Sequence, residues 1–168
     1  MHNASTMAGM AFANAFLGMS HSMAHKIGAV HHTVHGRTNA ILLPYVIRYN
    51  GTRPSKTTTW PKYNYWKADE KFQDIAKMLG LPHSTPEEAV EAYAKAVYDL
   101  GVAVGIKMNF KDQGIDEKAW KDSLHEIALL AYEDQCSPAN PRLPMVADME
   151  EIMADAYYGY AERPGRRK

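Results

Sequence analysis

The apolar residues of this chain fall into blocks separated by turn-forming residues, and the spacing inside the blocks is helical rather than strand-like. The opening segment Ala4–Met19 is apolar nearly all round, with small residues (Ala8, Gly9, Ala11, Ala13, Ala15, Gly18) set between Phe12, Phe16 and Leu17. That pattern predicts a helix buried on several sides, whose small residues let neighbouring backbones come close. Chain termini are usually exposed and frayed, so such a helix here points to a larger body that would cover it. Asn39–Asn50 predicts a second apolar helix, kinked or broken at Pro44. Residues 51–65 hold Pro54, Pro61 and three consecutive threonines and read as a long loop, which Trp60, Tyr63, Tyr65 and Trp66 would pin to the domain.

Three amphipathic helices follow. Lys67–Leu79 places Phe72, Ile75, Ala76 and Leu79 on one face and stops at Gly80 and Pro82. Thr85, Pro86 and Glu88 form a start signal: an N-cap hydroxyl, a proline at the first helical position and the acid of a capping box. Behind it Val90, Tyr93, Val97, Leu100 and Val104 recur at spacings of three and four, one stripe facing a core. Asp116 caps a helix that buries Trp120, Leu124, Ile127 and Ala131. Asp134–Pro144 is a turn-rich connector in which Arg142 serves as an anchor, and Met145–Tyr158 forms a last helix that Tyr157, Tyr158 and Tyr160 pack down. No segment alternates as a strand does, so the expectation is an all-α chain of five to seven helices, a domain over residues 1–160 and a solvated basic tail over 161–168.

Charge narrows the possible partners. Nineteen basic and nineteen acidic side chains balance, so no large field draws nucleic acid or an anionic membrane. The apolar stretch Met7–Met19 is about half the length a bilayer requires, and no basic segment precedes it as in a signal peptide. A single cysteine, Cys136, excludes an internal disulfide and fits a reducing, cytoplasmic compartment. It reads as a buried small residue rather than a nucleophile.

Histidine placement is the most informative feature. Of eight histidines, His21, His25, His31, His32 and His35 lie within fifteen residues. His21 and His25 are four apart and share a helix face. Neutral imidazole is a common ligand for divalent metals, and an i, i+4 pair is one way to present two. Gly28 permits the helix to end, so that a short loop carries His35 back towards His21. The same spacing also fits histidines that cap helix ends, and the adjacent His31 and His32 read as loop residues.

The pattern His21-x3-His25-x2-Gly28 followed by His35-Gly36-x-x-Asn39 resembles the signature of iron-dependent alcohol dehydrogenases. Further stretches are similar in the same order: residues 2–14, 42–50 and 75–82, Asp134-Gln-Cys136 and Ala139-Asn-Pro-Arg142 resemble the alcohol dehydrogenase part of bacterial bifunctional aldehyde–alcohol dehydrogenases. The resemblance implies a multihelical C-terminal domain of the iron-dependent alcohol dehydrogenase and dehydroquinate synthase-like fold. An N-terminal nucleotide-binding domain, absent from this chain, would stand beside it and bind most of NAD(H). It further implies iron(II), sometimes replaced by zinc, held by one aspartate and three histidines. His21 and His35 align with two of these, while the aspartate and third histidine lie upstream of residue 1. His25 aligns with a non-ligand beside substrate and nicotinamide, a candidate proton carrier. Short aldehydes and primary alcohols are the implied substrates, and the intact enzymes form homo-oligomers or filaments. Departures are Val34, where the family usually has proline, and the added residues 161–168. On this reading the chain is a fragment, inactive by itself. A non-catalytic helical module, binding metal through His21, His25, His31, His32 or His35 or acting in assembly, is the alternative.

Overall fold

The described residues form seven α-helices and one 3-10 turn, with no strand: α1 (His2–Ala15), α2 (Met19–His31), α3 (His35–Gly51), α4 (Ala68–Met78), α5 (Pro86–Ala103), α6 (Glu117–Tyr132), the turn Ser137–Ala139 and α7 (Val146–Tyr158). This computed structural model describes residues 1–54 and 66–159. The expected loop over 55–65, with Trp60, Tyr63 and Tyr65, and the tail 161–168 with Tyr160 lie outside the described residues.

Local signals set the helix ends. The Thr85 hydroxyl accepts the Glu88 N–H at 3.2 Å, and Pro86 opens α5. The Glu88 carboxylate takes the Ser84 N–H at 2.7 Å, one residue before the cap. The Asp116 carboxylate accepts the Ala119 N–H at 2.9 Å and so starts α6. After α4, Gly80 adopts φ +69°, while the N–H groups of Gly80 and Leu81 bond back to Lys77 and Ala76. That reversal needs left-handed backbone, which only glycine adopts at little cost.

α3 is the central element. One side packs on α2 and α7, where Ile41, Leu42, Tyr45 and Val46 join Met19, Met23, Ile27, Met149 and Met153 in the main core. The other side packs on α4 and α5, where Ile47 meets Val90 and Ala94. This two-sided burial explains why α3 runs through Pro44 without the break that the proline allowed. Proline in a helix interior costs roughly 3 kcal/mol. Burying Ile41, Leu42, Val46 and Ile47 contributes about 1.5–3 kcal/mol each and outweighs it. Around α6, Trp120 stacks between Phe110 and Tyr157, with ring centroids 4.9 and 5.2 Å away.

Two stripes are shorter than the periodicity suggests. Leu79, Leu100 and Val104 are exposed, so α4 and α5 bury only part of their apolar faces. The larger correction concerns the first segment. It is two elements, α1 and the start of α2, separated where Phe16 takes φ +63°. No residue of α1 is buried; Met7, Met10, Phe12 and Phe16 all face outwards. The segment has the composition of a covered helix, and no described residue covers it.

Candidate metal centre

α2 begins at a tight junction. The Met19 N–H donates to the Asn140 side-chain oxygen at 3.3 Å, and a β-carbon on Gly18 would stand 2.7 Å from that same oxygen. The Asn140 amide nitrogen donates to Asn50 Oδ1 at 2.7 Å and to the Arg142 carbonyl at 2.6 Å. The Arg142 guanidinium donates to the Tyr49 carbonyl at 3.0 Å and lies over the Tyr49 ring, the anchoring role expected from sequence. Thus the connector after α6 ties the start of α2 to the end of α3.

On the helix begun in this way, His21 and His25 sit one turn apart. α2 does not end at Gly28 but continues to His31, which packs on Trp120 and hydrogen-bonds Ser123 Oγ at 3.0 Å. His31 is therefore the last helical residue rather than a loop residue, and His32, in left-handed backbone at φ +53°, closes the helix. A three-residue link then leads to His35, the first residue of α3.

The return brings the three expected histidines together. The His35 ring centroid lies 5.1 Å from that of His21 and 5.2 Å from that of His25, and His21 lies 6.2 Å from His25. Each offers a ring nitrogen, and the three nitrogens fall within 4.8 Å of one another. Asn39 braces the cluster: its amide nitrogen reaches the His35 carbonyl at 3.2 Å and Nε2 at 3.1 Å, while its oxygen accepts the Ser20 hydroxyl at 2.9 Å. That brace is what the four-residue spacing from His35 to Asn39 provides.

His21 Nδ1 is buried with no hydrogen-bond partner among the described residues. A buried polar atom left so costs about 1–3 kcal/mol unless something else satisfies it. Burial, followed by the neighbouring His35 and His25, lowers the pKa of His21 below the ordinary histidine value. The neutral ring that results has a lone pair to give. These donors fit a borderline divalent metal such as iron(II) or zinc.

Asp134 is the residue that sequence reasoning missed. It lies 109 positions beyond His25, and its Oδ2 is 3.3 Å from His25 Nδ1 and 3.0 Å from Lys26 Nζ. Its other oxygen accepts the Cys136 N–H at 3.0 Å. Burial by itself would raise this carboxyl, but hydrogen bonds from Cys136, Lys26 and His25 outweigh it and hold it well below the usual carboxylate range. His25, Asp134 and Cys136 also lie close enough to share an ion. Lys26 already neutralises the carboxylate there, and burial with the adjacent Asp134 pushes the Cys136 thiol up to about 11, so a thiolate ligand is disfavoured.

With this geometry in place, the comparisons are direct. Residues 1–157 match the Fe-containing alcohol dehydrogenase family, C-terminal. The chain belongs to this family. It is 80% identical over 168 residues to the aldehyde-alcohol dehydrogenase of Streptococcus pneumoniae serotype 2 (strain D39 / NCTC 7466), covering 100% of this chain and 19% of that protein. Aldehyde-alcohol dehydrogenase 2 of Entamoeba histolytica is 60% identical over 161 residues, covering 96% of this chain and 18% of that protein. The crystal structure of a 1,3-propanediol oxidoreductase superposes with a TM-score of 0.76 at 32% identity, covering 92% of this chain and 36% of that one. The chain therefore spans about a fifth of the length of the curated relatives it matches. The all-helical fold and the family resemblance expected from sequence are both found. Among the described residues no helix is long and apolar enough to cross a membrane.

Proposed function

We propose that this chain is the metal-binding helical domain of an NAD-dependent alcohol dehydrogenase that interconverts short aldehydes and primary alcohols. The observation that carries the reading is the convergence of His21, His25 and His35, with His21 Nδ1 buried and unpartnered among the described residues. His21 and His35 would hold iron(II) or zinc, with an aspartate and a histidine from outside this chain completing the set. When bound, such a metal supplies Lewis acidity that stabilises negative charge on the substrate oxygen.

The chain's own residues do the rest. His25, one turn along from His21, carries on a ring nitrogen the proton that the substrate oxygen gains on reduction. Ser20 and Asn39 hold the α2–α3 junction so that His35 keeps its place beside His21. Asn140 fixes where α2 starts, and with it the height of both His21 and His25. NAD(H) would be bound mainly by a nucleotide-binding domain beyond these 168 residues, and the chain by itself is expected to show no turnover.

The test is reconstitution with iron(II) and a separately supplied upstream segment carrying the additional aspartate and histidine. Aldehyde-dependent NADH oxidation that appears with both halves, and falls at least a hundredfold in His21→Ala, His35→Ala or His25→Gln, supports the assignment. No oxidation from a folded, metal-loaded pair of halves would end it. A second reading, an assembly module, is favoured by the exposed apolar surface of α1. It expects self-association that survives chelation, and a monomer on sizing would remove it.

A further inference from the structure

We propose that Asp134 is a positioning residue for His25: its carboxylate fixes the imidazole as the Nδ1–H tautomer and leaves the lone pair on Nε2.

The argument starts from the donors around Asp134. Its side chain is only 8% exposed, and each of its oxygens faces a group that can only donate. Oδ1 takes the Cys136 backbone N–H at 3.0 Å, and Oδ2 takes the Lys26 ammonium at 3.0 Å. Paired with the Lys26 ammonium and holding the Cys136 N–H, the side chain is an ionised carboxylate, whose oxygens only accept. His25 Nδ1, 3.3 Å from Oδ2, must then be the donor. The ring is held from its other side as well, stacked on His35 at 5.2 Å with the planes 15° apart. A histidine whose one nitrogen donates to a carboxylate has its ring orientation and tautomer settled before anything reaches the other nitrogen. His25 and Lys26 are consecutive on α2, and Asp134 comes from the connector after α6, so one carboxylate grips two neighbouring side chains of the helix that carries the site.

The role of the fixed tautomer in proton transfer rests on the site reading above, whereas the tautomer itself is independent of it. The substitution Asp134→Asn separates the two. The Cys136 N–H is fixed backbone, whereas the Lys26 ammonium is 29% exposed on a flexible stem and can turn to solvent; the asparagine oxygen therefore stays on Cys136 and the amide NH2 faces His25. His25 Nδ1 must then accept, and the proton moves to Nε2.

The experiment is long-range 1H–15N spectroscopy of the histidine rings in the full 168-residue chain at pH 8 with chelator, His25 being assigned by its loss in His25→Gln. The expected result is a predominantly Nδ1–H ring for His25 in the unsubstituted chain, switched to Nε2–H in Asp134→Asn and relaxed to a mixture in Asp134→Ala. An Nε2–H ring in the unsubstituted chain would overturn the proposal, as would a tautomer that neither folded variant changes. The unsubstituted spectrum decides even if a variant fails to fold. Zinc uptake by the same proteins, freed of chelator and supplied with the upstream segment that carries the additional aspartate and histidine, separates the two ideas. An Asp134-independent tautomer with intact uptake at His21 and His35 sinks the positioning role alone. Absent uptake with the tautomer as expected sinks the metal reading alone.

Discussion

The side-chain oxygen of Asn140 lies 2.7 Å from where a β-carbon on Gly18 would stand, and it accepts the N–H of the following residue, Met19. A residue from the end of the chain thus occupies the space that an absent side chain leaves at the start of α2. Asn140→Leu strands the Met19 N–H and the Asn50 amide together. Its expected cost is about 2–4 kcal/mol, one unsatisfied buried group contributing roughly 1–3. Gly18→Ala must push the Asn140 oxygen aside and should cost about 1–2 kcal/mol. Urea unfolding followed by circular dichroism measures both, and a change below 0.5 kcal/mol for Asn140→Leu would mean the junction does not hold α2 (~0.5 kcal/mol being the usual surface-substitution range).

Acid should destabilise the chain, with His31 as one cause. Burial, and then His32 beside it, lowers the folded-state pKa of His31 below 6.5. The unfolded chain therefore binds this proton more readily than the folded one. Stability from this residue is fully present above the unfolded value and is lost as pH falls below about 6.5. His21 is shifted in the same direction. Denaturation midpoints should drop between pH 7.5 and 5.5, and His31→Gln should show a shallower drop than the parent chain. An equal slope in both would assign the acid sensitivity elsewhere.

Zinc should stabilise the folded chain without any partner domain, because His21 and His35 already converge and His25 stands near enough to serve as a stand-in third donor when no upstream ligand is present. Binding to the native state alone adds about 2.7 kcal/mol at a hundredfold excess over Kd. A calorimetric Tm rise in millimolar zinc is expected, disappearing in the His21→Ala/His35→Ala double variant. Elemental mass spectrometry of the dialysed protein supplies the stoichiometry. An undiminished rise in the double variant would place the ion at some other site.

α1 should be the least protected helix. It has fourteen residues, none buried, and isolated helices shorter than about 12–15 residues are marginal in water. Its amides should exchange within seconds, while those of α2 and α3 around Met23, Ile27, Leu42 and Val46 survive for hours. Slow exchange over residues 5–14 would show that something covers the helix in solution.

Trp120 anchors the far side of the core, stacked by Phe110, Tyr157 and His31. Trp120→Ala should cost about 3–5 kcal/mol, a large share of the 5–15 kcal/mol typical of a domain. A loss under 1 kcal/mol (set against the ~3–5 expected) would mean that the aromatic stack carries little of the fold.

What the sequence determined by itself was local. Thr85 with Pro86, Asp116 and Gly80 mark helix ends because a cap is made between residues two to five apart, and the chain brings those together whatever else it does. The grouping of His21, His25 and His35 was readable for the same reason: a helical turn and a short link suffice to close it. Tertiary structure decided the rest. Pro44 lies within a continuous helix because burial on two faces outweighs its local cost, and periodicity cannot report burial. Leu100 and Val104 continue the stripe of Val90 and Tyr93 yet face outwards, since the end of α5 packs through Gly101, against Met108, instead. α1 reads as buried and is exposed, because a helix's apolar character says it needs a partner and not where the partner is. Asp134 and Asn140 reach the site from 109 and 121 residues away along the chain. No spacing rule connects residues at such distances. They meet because α6 and α7 pack on α2 and α3, and only that packing turns an aspartate in a connector into the group that grips His25.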